Sequence, residues 1–493
     1  MFDFSHLMTG LQASLQPLTL AVLFAGTLVG IIVGILPGLG PMVGMVILLP
    51  ISFVLDPSQA LILLLGVFCG GYFGGGIPAV LIRTPGVPAS LVTSFDGFPL
   101  TQKGQSQKAL SGVIMGSFSG GIISVFLLIL TAPALAHLAL NFGPSEYFFA
   151  TLFGVLLVVL SNMKQLIPAI ILMCLGLWIS SIGVDPSTYT QRYTMGSLVL
   201  FNGLPVASIC LGLFGIGQAL RLAEKAILTE GKIELSRSTL DLSMIGQTFR
   251  HWKTMICSGI VGTLVGILPG TGAILASFLG YETARKLSPE PEKFGTGMVE
   301  GCIGAEAANN AVPAGTMVPL LTLGIPGDGT SAVLLTVFTV NGIFPGPLLL
   351  IKEPALINTL YISLFFINIF AMIMLIFCLR PFAMIVRIPN SILAATVGFL
   401  SLIGIYSMNS NWLDIAVSLG FGVAGYYLLN FRWPLINLVM GVVLGPIMEM
   451  RLREALTISD GNIMFFLERP ITLGIIAACF ALVAYRFLMK KKA

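Results

Sequence analysis

Charged residues are scarce in this chain of 493 residues. Asp, Glu, Lys and Arg together make up 9% of it, against roughly a quarter in an ordinary soluble domain. Hydrophobic residues make up 56%, and apolar runs of about 20 residues, long enough to cross a bilayer as a helix, recur along the whole chain. This composition excludes a soluble globular protein and predicts a polytopic α-helical membrane protein.

The sequence also lacks the motifs of enzymes and metal sites. Its seven cysteines are scattered singly, which argues against a disulfide framework or a metal cluster. Its three histidines have no HExxH spacing, and His137 lacks the partner that an intramembrane serine protease would need. No Walker-type GxxxxGK[ST] occurs. We therefore expect neither an enzyme nor a cofactor, and no metal other than a coupling Na⁺.

What the chain does have is a duplicated motif that interrupts apolar runs with proline and glycine. Residues 29–40 and 261–272 are identical at nine of twelve positions. Three further pairs of segments resemble each other in the same order, namely Gly76–Ala79 with Ala311–Ala314, Pro85–Ser90 with Pro326–Ser331, and Asp96–Pro99 with Asn341–Pro345. Several matches in one order indicate an old internal duplication.

The duplication predicts two repeats with broken helices or re-entrant hairpins and one extra C-terminal helix. The expected divisions are a first transmembrane repeat (1–220), a cytoplasmic connection (221–253), a second transmembrane repeat (254–450), and the extra helix with a basic tail (451–493). No Lys or Arg precedes Arg83, whereas the connection is basic and the tail ends in Lys490-Lys491-Lys492. The positive-inside rule then puts the N-terminus in the periplasm and the C-terminus in the cytoplasm, so that the repeats are inverted.

Four such breaks, numbered in chain order, lie at residues 37–41, 84–88, 269–272 and 324–330, and together they predict a binding site. A helix broken at membrane depth is stable only where it is buried in protein or lines a wet cavity, and paired breaks in two halves indicate the site of a secondary transporter. Half-helices that start after the breaks would direct free N–H groups at an anion such as a carboxylate. The candidate substrate-binding residues are Gly38, Leu39, Gly40, Arg83, Thr84, Pro85, Gly86, Ser90, Gly270, Thr271, Gly272, Pro326, Gly327, Gly329, Thr330 and Ser331.

Each of these residues also has a structural interpretation. A glycine in an apolar run can serve close helix packing or a kink instead of a ligand. Arg83 can pair with a substrate carboxylate, or it can extend its head group to the membrane interface. Asp96 is expected in a turn instead of a ligand site.

Four polar residues in apolar surroundings are candidates for cation or proton coupling. Asn309 and Asn310 offer amide oxygens that suit a hard cation such as Na⁺. Glu306 or Asp328 can carry a proton instead, because ionisable residues inside membrane segments are usually functional. Either acid can equally be a helix cap or a packing partner.

With these residues the chain resembles, over essentially its whole length, the large membrane subunit of the tripartite tricarboxylate transporter family (TctA-type). The resemblance rests on the motifs Gly34–Pro41, Pro85–Ser90 leading to Asp96–Pro99, Glu306–Ala311 and Leu323–Thr330. It implies a bacterial inner-membrane symporter that imports citrate-like di- or tricarboxylates on a Na⁺ or H⁺ gradient. It also implies two partners, a small TctB-type membrane subunit and a periplasmic TctC-type solute-binding protein.

Two segments depart from the pattern of that family. Residues 69–78 differ from the more usual Tyr-Tyr-Gly and Gly-Gly-Ser pattern, and Arg83-Thr84 stands where an Asn before the Pro-Gly break is more usual. A transporter that works without a binding protein and a passive channel are the alternatives. For the mechanism we expect alternating access, in which a bundle with the four breaks moves against a scaffold that includes segments 146–182 and 391–448.

Overall fold

The computed structural model describes residues 4–185, 188–228, 242–270, 272–385, 388–409 and 411–490. It is 82% helical. In the first half the helices are α1 Phe4–Ser14, α2 Pro17–Ile35, α3 Gly40–Ser52, α4 Pro57–Ile82, α5 Ser94–Gln102, α6 Ser106–Ala139, α7 Pro144–Ser161, α8 Leu166–Ile179, α9 Val206–Cys210 and α10 Gly217–Leu228. A short 3₁₀ helix, Pro88–Leu91, follows the second break, and a π-helical turn, Leu211–Ile216, joins α9 to α10.

The second half of the chain is also built of helices. Its helices are α11 Leu242–Thr248, α12 Trp252–Ile267, α13 Gly272–Leu287, α14 Val299–Leu323, α15 Gly329–Val340, α16 Leu349–Lys352, α17 Pro354–Ile385, α18 Asn390–Asn409, α19 Trp412–Asn430, α20 Leu435–Ile458, α21 Phe465–Glu468 and α22 Pro470–Lys490. Within the described residues, sheet is limited to the antiparallel pair β1 Gly183–Val184 and β2 Gln191–Arg192. In the part of the chain that the structure describes, eight helices are long and apolar enough to span a membrane, which confirms the prediction of a polytopic helical protein.

The first and third breaks have the same backbone geometry. The residue after α2, Leu36, is extended and donates its N–H to Val33 (3.2 Å), and Leu268 after α12 does the same to Val265 (3.1 Å). The glycines that follow adopt left-handed φ angles in both copies: +91° at Gly38, +71° at Gly40, +78° at Gly270 and +74° at Gly272. L-residues with a side chain avoid this region, so the glycines are required by the turn.

Glycine also sets how each broken helix packs on the long helix that follows it. Gly34 of α2 lies directly on the backbone of Gly71 in α4, with no room for a Cβ atom. Its counterpart Gly266 in α12 lies on the backbone of Val312 in α14. The two hairpins therefore pack on α4 and α14 in the same register.

This register corrects one of the sequence matches. The N–H of Thr84 bonds to Pro78 at the end of α4, and the N–H of Ile325 bonds to Pro319 at the end of α14, both at 3.3 Å. The structure thus equates Pro78 with Pro319, whereas matching Gly76–Ala79 with Ala311–Ala314 pairs Pro78 with Pro313. That match was wrong because a Val-Pro pair occurs twice within α14, at Val312-Pro313 and at Val318-Pro319, and sequence similarity alone cannot choose between them.

The helices with breaks pack mainly on one another, and the remaining helices flank them. Helix α14 packs on α6 and α12, and α2 packs on α4. The flanking helices pack across the two halves of the chain. Helix α20 of the second half packs on α7 and α8 of the first, and α10 of the first half packs on α18 and α19 of the second. Of the expected connection 221–253, residues 229–241 lie outside the described part, and α10 continues into it as far as Leu228.

Candidate functional site

A cavity of about 930 Å³ lies where the four breaks meet. The break residues that line it come from both copies of the motif: Gly38, Leu39, Gly40, Val87, Pro88, Ala89, Gly270, Gly272, Asp328 and Thr330. Its walls are mostly apolar with a few polar groups, and its size is that of a small-molecule site. Segments that lie far apart in the sequence thus form one candidate binding site.

Two amide side chains stabilise the cavity wall. Gln218 of α10 donates its Nε2–H to the carbonyl oxygen of Gly38 at 2.7 Å. Asn162, at the end of α7, donates its amide to the carbonyl of Val158 and to Oδ1 of Asn437, both at 3.1 Å. These bonds join the breaks and the flanking helices around the cavity.

The residues predicted from the sequence divide into two groups. Of the candidate substrate-binding residues, six line the cavity: Gly38, Leu39, Gly40, Gly270, Gly272 and Thr330. Asp328, a candidate for coupling, lines it as well. Nine other substrate-binding candidates lie outside its lining: Arg83, Thr84, Pro85, Gly86, Ser90, Pro326, Gly327, Gly329 and Ser331. Thr271 lies outside the described residues.

Several residues of the second group have packing roles. Gly86 lies against the carbonyl oxygen of Gly34 and the Cα of Gly75, and Gly327 lies against Gly266 and Thr316 in the equivalent contact. Gly86 of the second break thus packs against α2, and Gly327 of the fourth break packs against α12. The packing interpretation therefore fits these two glycines better than ligand binding.

Arg83 does not reach the cavity. It is exposed and has a left-handed conformation (φ +56°) at the C-terminus of α4. Its guanidinium lies 5.8 Å from the ring centroid of Phe98, a cation–π contact. This position does not support the predicted pairing of Arg83 with a substrate carboxylate.

Asp328 caps α15 at the edge of the cavity. Its Oδ1 accepts the N–H of Ser331 at 2.8 Å, and the Ser331 hydroxyl oxygen accepts the N–H of Asp328 at 2.9 Å. This reciprocal pair is a capping box, which satisfies N–H groups that the helix leaves free. The structural alternative therefore accounts for the carboxylate of Asp328, although the residue also lines the cavity.

The other acid, Glu306, lies fully buried in a cluster of hydroxyls and amides. Thr93 donates to its Oε1 at 2.6 Å, and Ser117 donates to its Oε2 at 3.4 Å. The amides of Asn309 and Asn310 donate to Oε2 at 3.3 and 3.2 Å. Among the described residues, no lysine, arginine or histidine forms an ion pair with this carboxyl group.

Two oxygens of this polar cluster have no partner. Within the described part of the chain, Oδ1 of Asn309 and Oδ1 of Asn310 are buried without a hydrogen bond. A buried acceptor left without a partner is costly. Together with the Glu306 carboxyl and the nearby hydroxyls, these oxygens form a set of ligands that a small hard cation prefers.

One short segment contacts both the cavity and the polar cluster. In the 3₁₀ helix after the second break, Pro88, Ala89 and Leu91 line the cavity. Ser90 between them faces the other way, and its hydroxyl oxygen accepts a hydrogen bond from Asn309 at 3.4 Å. This segment therefore joins the cavity wall to the polar cluster.

Sequence reasoning missed several polar residues of both regions. Tyr72, Asn162, Gln218 and Arg221 line the cavity, and Thr93 and Ser117 donate to Glu306 in the polar cluster. Asp96, which was expected in a turn, lies in neither region but inside α5. The carboxylate of Asp96 accepts N–H bonds from three residues of the turn before α14. Arg221 directly follows an apolar run, but that position does not show that its helix reaches the cavity.

Paired broken helices around a shared cavity are a feature of many polytopic membrane transporters. The chain belongs to the family described as "Tripartite tricarboxylate transporter TctA family", whose match covers residues 20–440. This confirms the resemblance inferred from the motifs.

Two relatives from Agrobacterium vitis are similar to the chain. An uncharacterized 52.8 kDa protein in the TAR-I ttuC' 3'region is 34% identical over 485 residues, which are 98% of this chain and 96% of the relative. An uncharacterized protein in the TAR-II ttuC' 3'region is 36% identical over 226 residues, which are 45% of this chain and 93% of the relative. No solved structure matches the chain.

Proposed function

We propose that this chain is the translocating subunit of a secondary active importer of citrate-like di- or tricarboxylates in the bacterial inner membrane. The observation that carries the proposal is the single cavity lined by all four breaks. The N-terminus faces the periplasm, the C-terminus faces the cytoplasm, and the two repeats are inverted. A passive channel would not need a second, separate polar cluster linked to the cavity.

Helix N-termini around the cavity support an anionic substrate. Helices α3 and α13 begin at Gly40 and Gly272, and both glycines line the cavity. Helix α15 begins beside Thr330, which also lines it. The N-terminus of a helix carries about half a positive charge and free N–H groups, so three of them attract carboxylates without many full charges.

The coupling ion is Na⁺, bound by Glu306, Asn309 and Asn310. Support comes from the two unpaired amide oxygens and from the absence of a basic partner for Glu306 among the described residues. The segment Pro88–Leu91 couples this cluster to the substrate cavity. The alternative is H⁺ coupling, in which Glu306 carries a proton and no Na⁺ binds.

Transport proceeds by alternating access. The bundle with the four breaks moves against flanking helices that include segments 146–182 and 391–448. Helices α3 and α15 contact α18 and α20, so these contacts form the interface along which the bundle moves. A disulfide engineered across that interface should stop uptake, and full activity of the cross-linked protein would contradict the mechanism.

The chain acts with a small TctB-type membrane subunit and a periplasmic TctC-type binding protein that delivers the substrate. Family membership supports these partners. The alternative is a stand-alone transporter of carboxylates or other small anions. The tripartite and the stand-alone transporter are distinguished by uptake of labelled citrate into proteoliposomes. The vesicles contain the two membrane subunits, and uptake is measured with and without the cognate binding protein. Uptake that needs the binding protein supports the tripartite proposal, and equal uptake without it supports the alternative.

The Na⁺ site is tested in the same vesicles. Asn309→Ala removes a cation ligand, and the loss of one ligand should raise the half-saturating Na⁺ concentration about tenfold or more. Asn430→Ala is the matched control, because Asn430 is exposed and its amide donates to Glu224 on α10, not to the cluster around Glu306. An unchanged Na⁺ dependence in Asn309→Ala, or uptake driven by a pH gradient alone, would contradict Na⁺ coupling through this cluster.

A further inference from the structure

The cavity contains one full positive charge. Among its described lining residues the charged ones are Arg221 and Asp328. The carboxylate of Asp328 is engaged by the N–H of Ser331. Arg221 is half-buried, and it makes no hydrogen bond or ion pair with any residue that the structure describes. Arg221 therefore lines the cavity without a partner among the described residues, and its guanidinium has five N–H donors to offer.

The fold holds Arg221 in this position through its own helix. Gln218 lies three residues earlier on α10, and residues at that spacing share one face of a helix. Because Gln218 donates to the carbonyl of Gly38 at 2.7 Å, the same face of α10 is fastened to the first break. The π-helical turn Leu211–Ile216 comes just before this face, and such turns often occur at functional sites.

We infer that Arg221 binds a carboxylate group of the substrate and selects substrates with two or more carboxylates. This inference rests on the proposed function and names one residue that carries it out. A guanidinium offers a carboxylate two parallel N–H bonds, whereas the helix N-termini supply only partial charges. A second or third carboxylate can then be bound by the helix N-termini on the opposite wall.

Arg221 belongs to the flanking helices and not to the broken ones. Helix α10 packs on α18 and α19, whereas Gly38 and Gly270 lie in the breaks. A substrate held by Arg221 and by the breaks at once bridges the two parts that alternating access moves apart. The contact with Arg221, like the bond from Gln218 to Gly38, is consequently made only while the cavity faces α10.

Uptake kinetics of substituted proteins test the assignment. Arg221→Gln should raise the half-saturating citrate concentration about tenfold to hundredfold, as expected for loss of a charged hydrogen-bonded pair. Arg221→Lys keeps the charge but loses the planar fork, so its value should lie between Arg221→Gln and the unmodified protein. The matched control is Lys225→Gln, one turn further along α10, where the side chain is exposed and outside the cavity lining.

Selectivity gives a readout that a merely structural role would not change. Arg221→Gln should lose affinity for citrate and succinate and leave competition by acetate unaltered. An Arg221→Gln protein with the same citrate affinity and selectivity as Lys225→Gln would overturn the inference.

A chemical measurement separates this inference from the proposed function. Phenylglyoxal modifies accessible arginines, and peptide mass spectrometry of the purified protein reports the modification at Arg221. Citrate should protect Arg221 and chloride of equal ionic strength should not. Absence of modification, or modification that citrate leaves unchanged, overturns the role of Arg221 even if carboxylate uptake is intact. Absence of all carboxylate uptake in the unmodified complex overturns the proposed function itself.

Discussion

Substituting the glycine of the third break by alanine should damage the protein more than the same change in the first break. Gly270 has a φ of +78°, and an alanine in that left-handed region costs about 1–2 kcal/mol. A Cβ atom there would also lie 2.6 Å from the N and Cα atoms of Val158 in α7. Forcing extra volume into packed structure costs about 1–3 kcal/mol, so Gly270→Ala should destabilise the fold by about 2–5 kcal/mol in all.

Three other glycines separate strain from crowding. Gly272 (φ +74°) has no atom within 4 Å of the place that a Cβ atom would take, so its alanine variant should show only the strain, about 1–2 kcal/mol. At Gly38 the Cβ would meet the end of the Gln218 side chain at 3.3 Å, which can move aside. Gly104 (φ +76°) has equally open surroundings and lies outside the cavity lining, so Gly104→Ala is the control for strain without a functional role.

The assay combines stability and transport. Thermal unfolding of the purified variants in lipid nanodiscs should rank Gly270→Ala as the least stable and Gly104→Ala with Gly272→Ala as the most stable. Citrate uptake per folded protein should fall in Gly272→Ala and persist in Gly104→Ala. The larger changes Gly38→Val and Gly270→Val should abolish uptake while the protein still reaches the membrane. Equal stability of Gly270→Ala and Gly104→Ala would contradict the crowding at Gly270. Full activity of both valine variants would contradict a substrate site at the breaks.

Three further predictions concern the polar groups. Glu306→Gln removes the charge of the buried cluster, so accumulation driven by a Na⁺ gradient should disappear; vesicle uptake that is still driven by the gradient would contradict this. Asp96→Ala leaves three backbone N–H donors without their acceptor and should destabilise the protein by about 3 kcal/mol or more. Tyr281→Phe removes a single bond to the same carboxylate and should cost about 1 kcal/mol. Similar melting temperatures for the two variants would contradict this role of Asp96. Gln218→Ala removes the bond to Gly38 and should speed amide hydrogen exchange in the first break, and unchanged exchange there would show that the bond does not stabilise it.

The breaks could be predicted from the sequence because their constraints are local. Proline ends a helix and glycine permits a left-handed turn, so the motif around Gly38 and its copy around Gly270 specify the same backbone wherever they occur. The clustering of Glu306 with Asn310 was equally accessible, since residues four apart share one face of a helix.

The remaining features depend on contacts between distant segments. The register of α14 against α12 is decided by the close approach of Gly266 to the backbone of Val312, not by sequence similarity. Arg83 adjoins a break, but its left-handed conformation at the end of α4 leaves it outside the cavity. Arg221 reaches the cavity because α10 packs against the first break, and no local sequence pattern predicts this packing.

The most direct test of the central claim is whether this chain concentrates a carboxylate at the expense of an ion gradient. Labelled citrate would be measured in proteoliposomes that contain the chain with its small subunit and binding protein, before and after an ionophore collapses an inward Na⁺ gradient. A secondary active importer should hold internal citrate above the external concentration, and the two concentrations should become equal once the gradient is lost. Citrate that only equilibrates, with or without the gradient, would contradict a secondary active transporter.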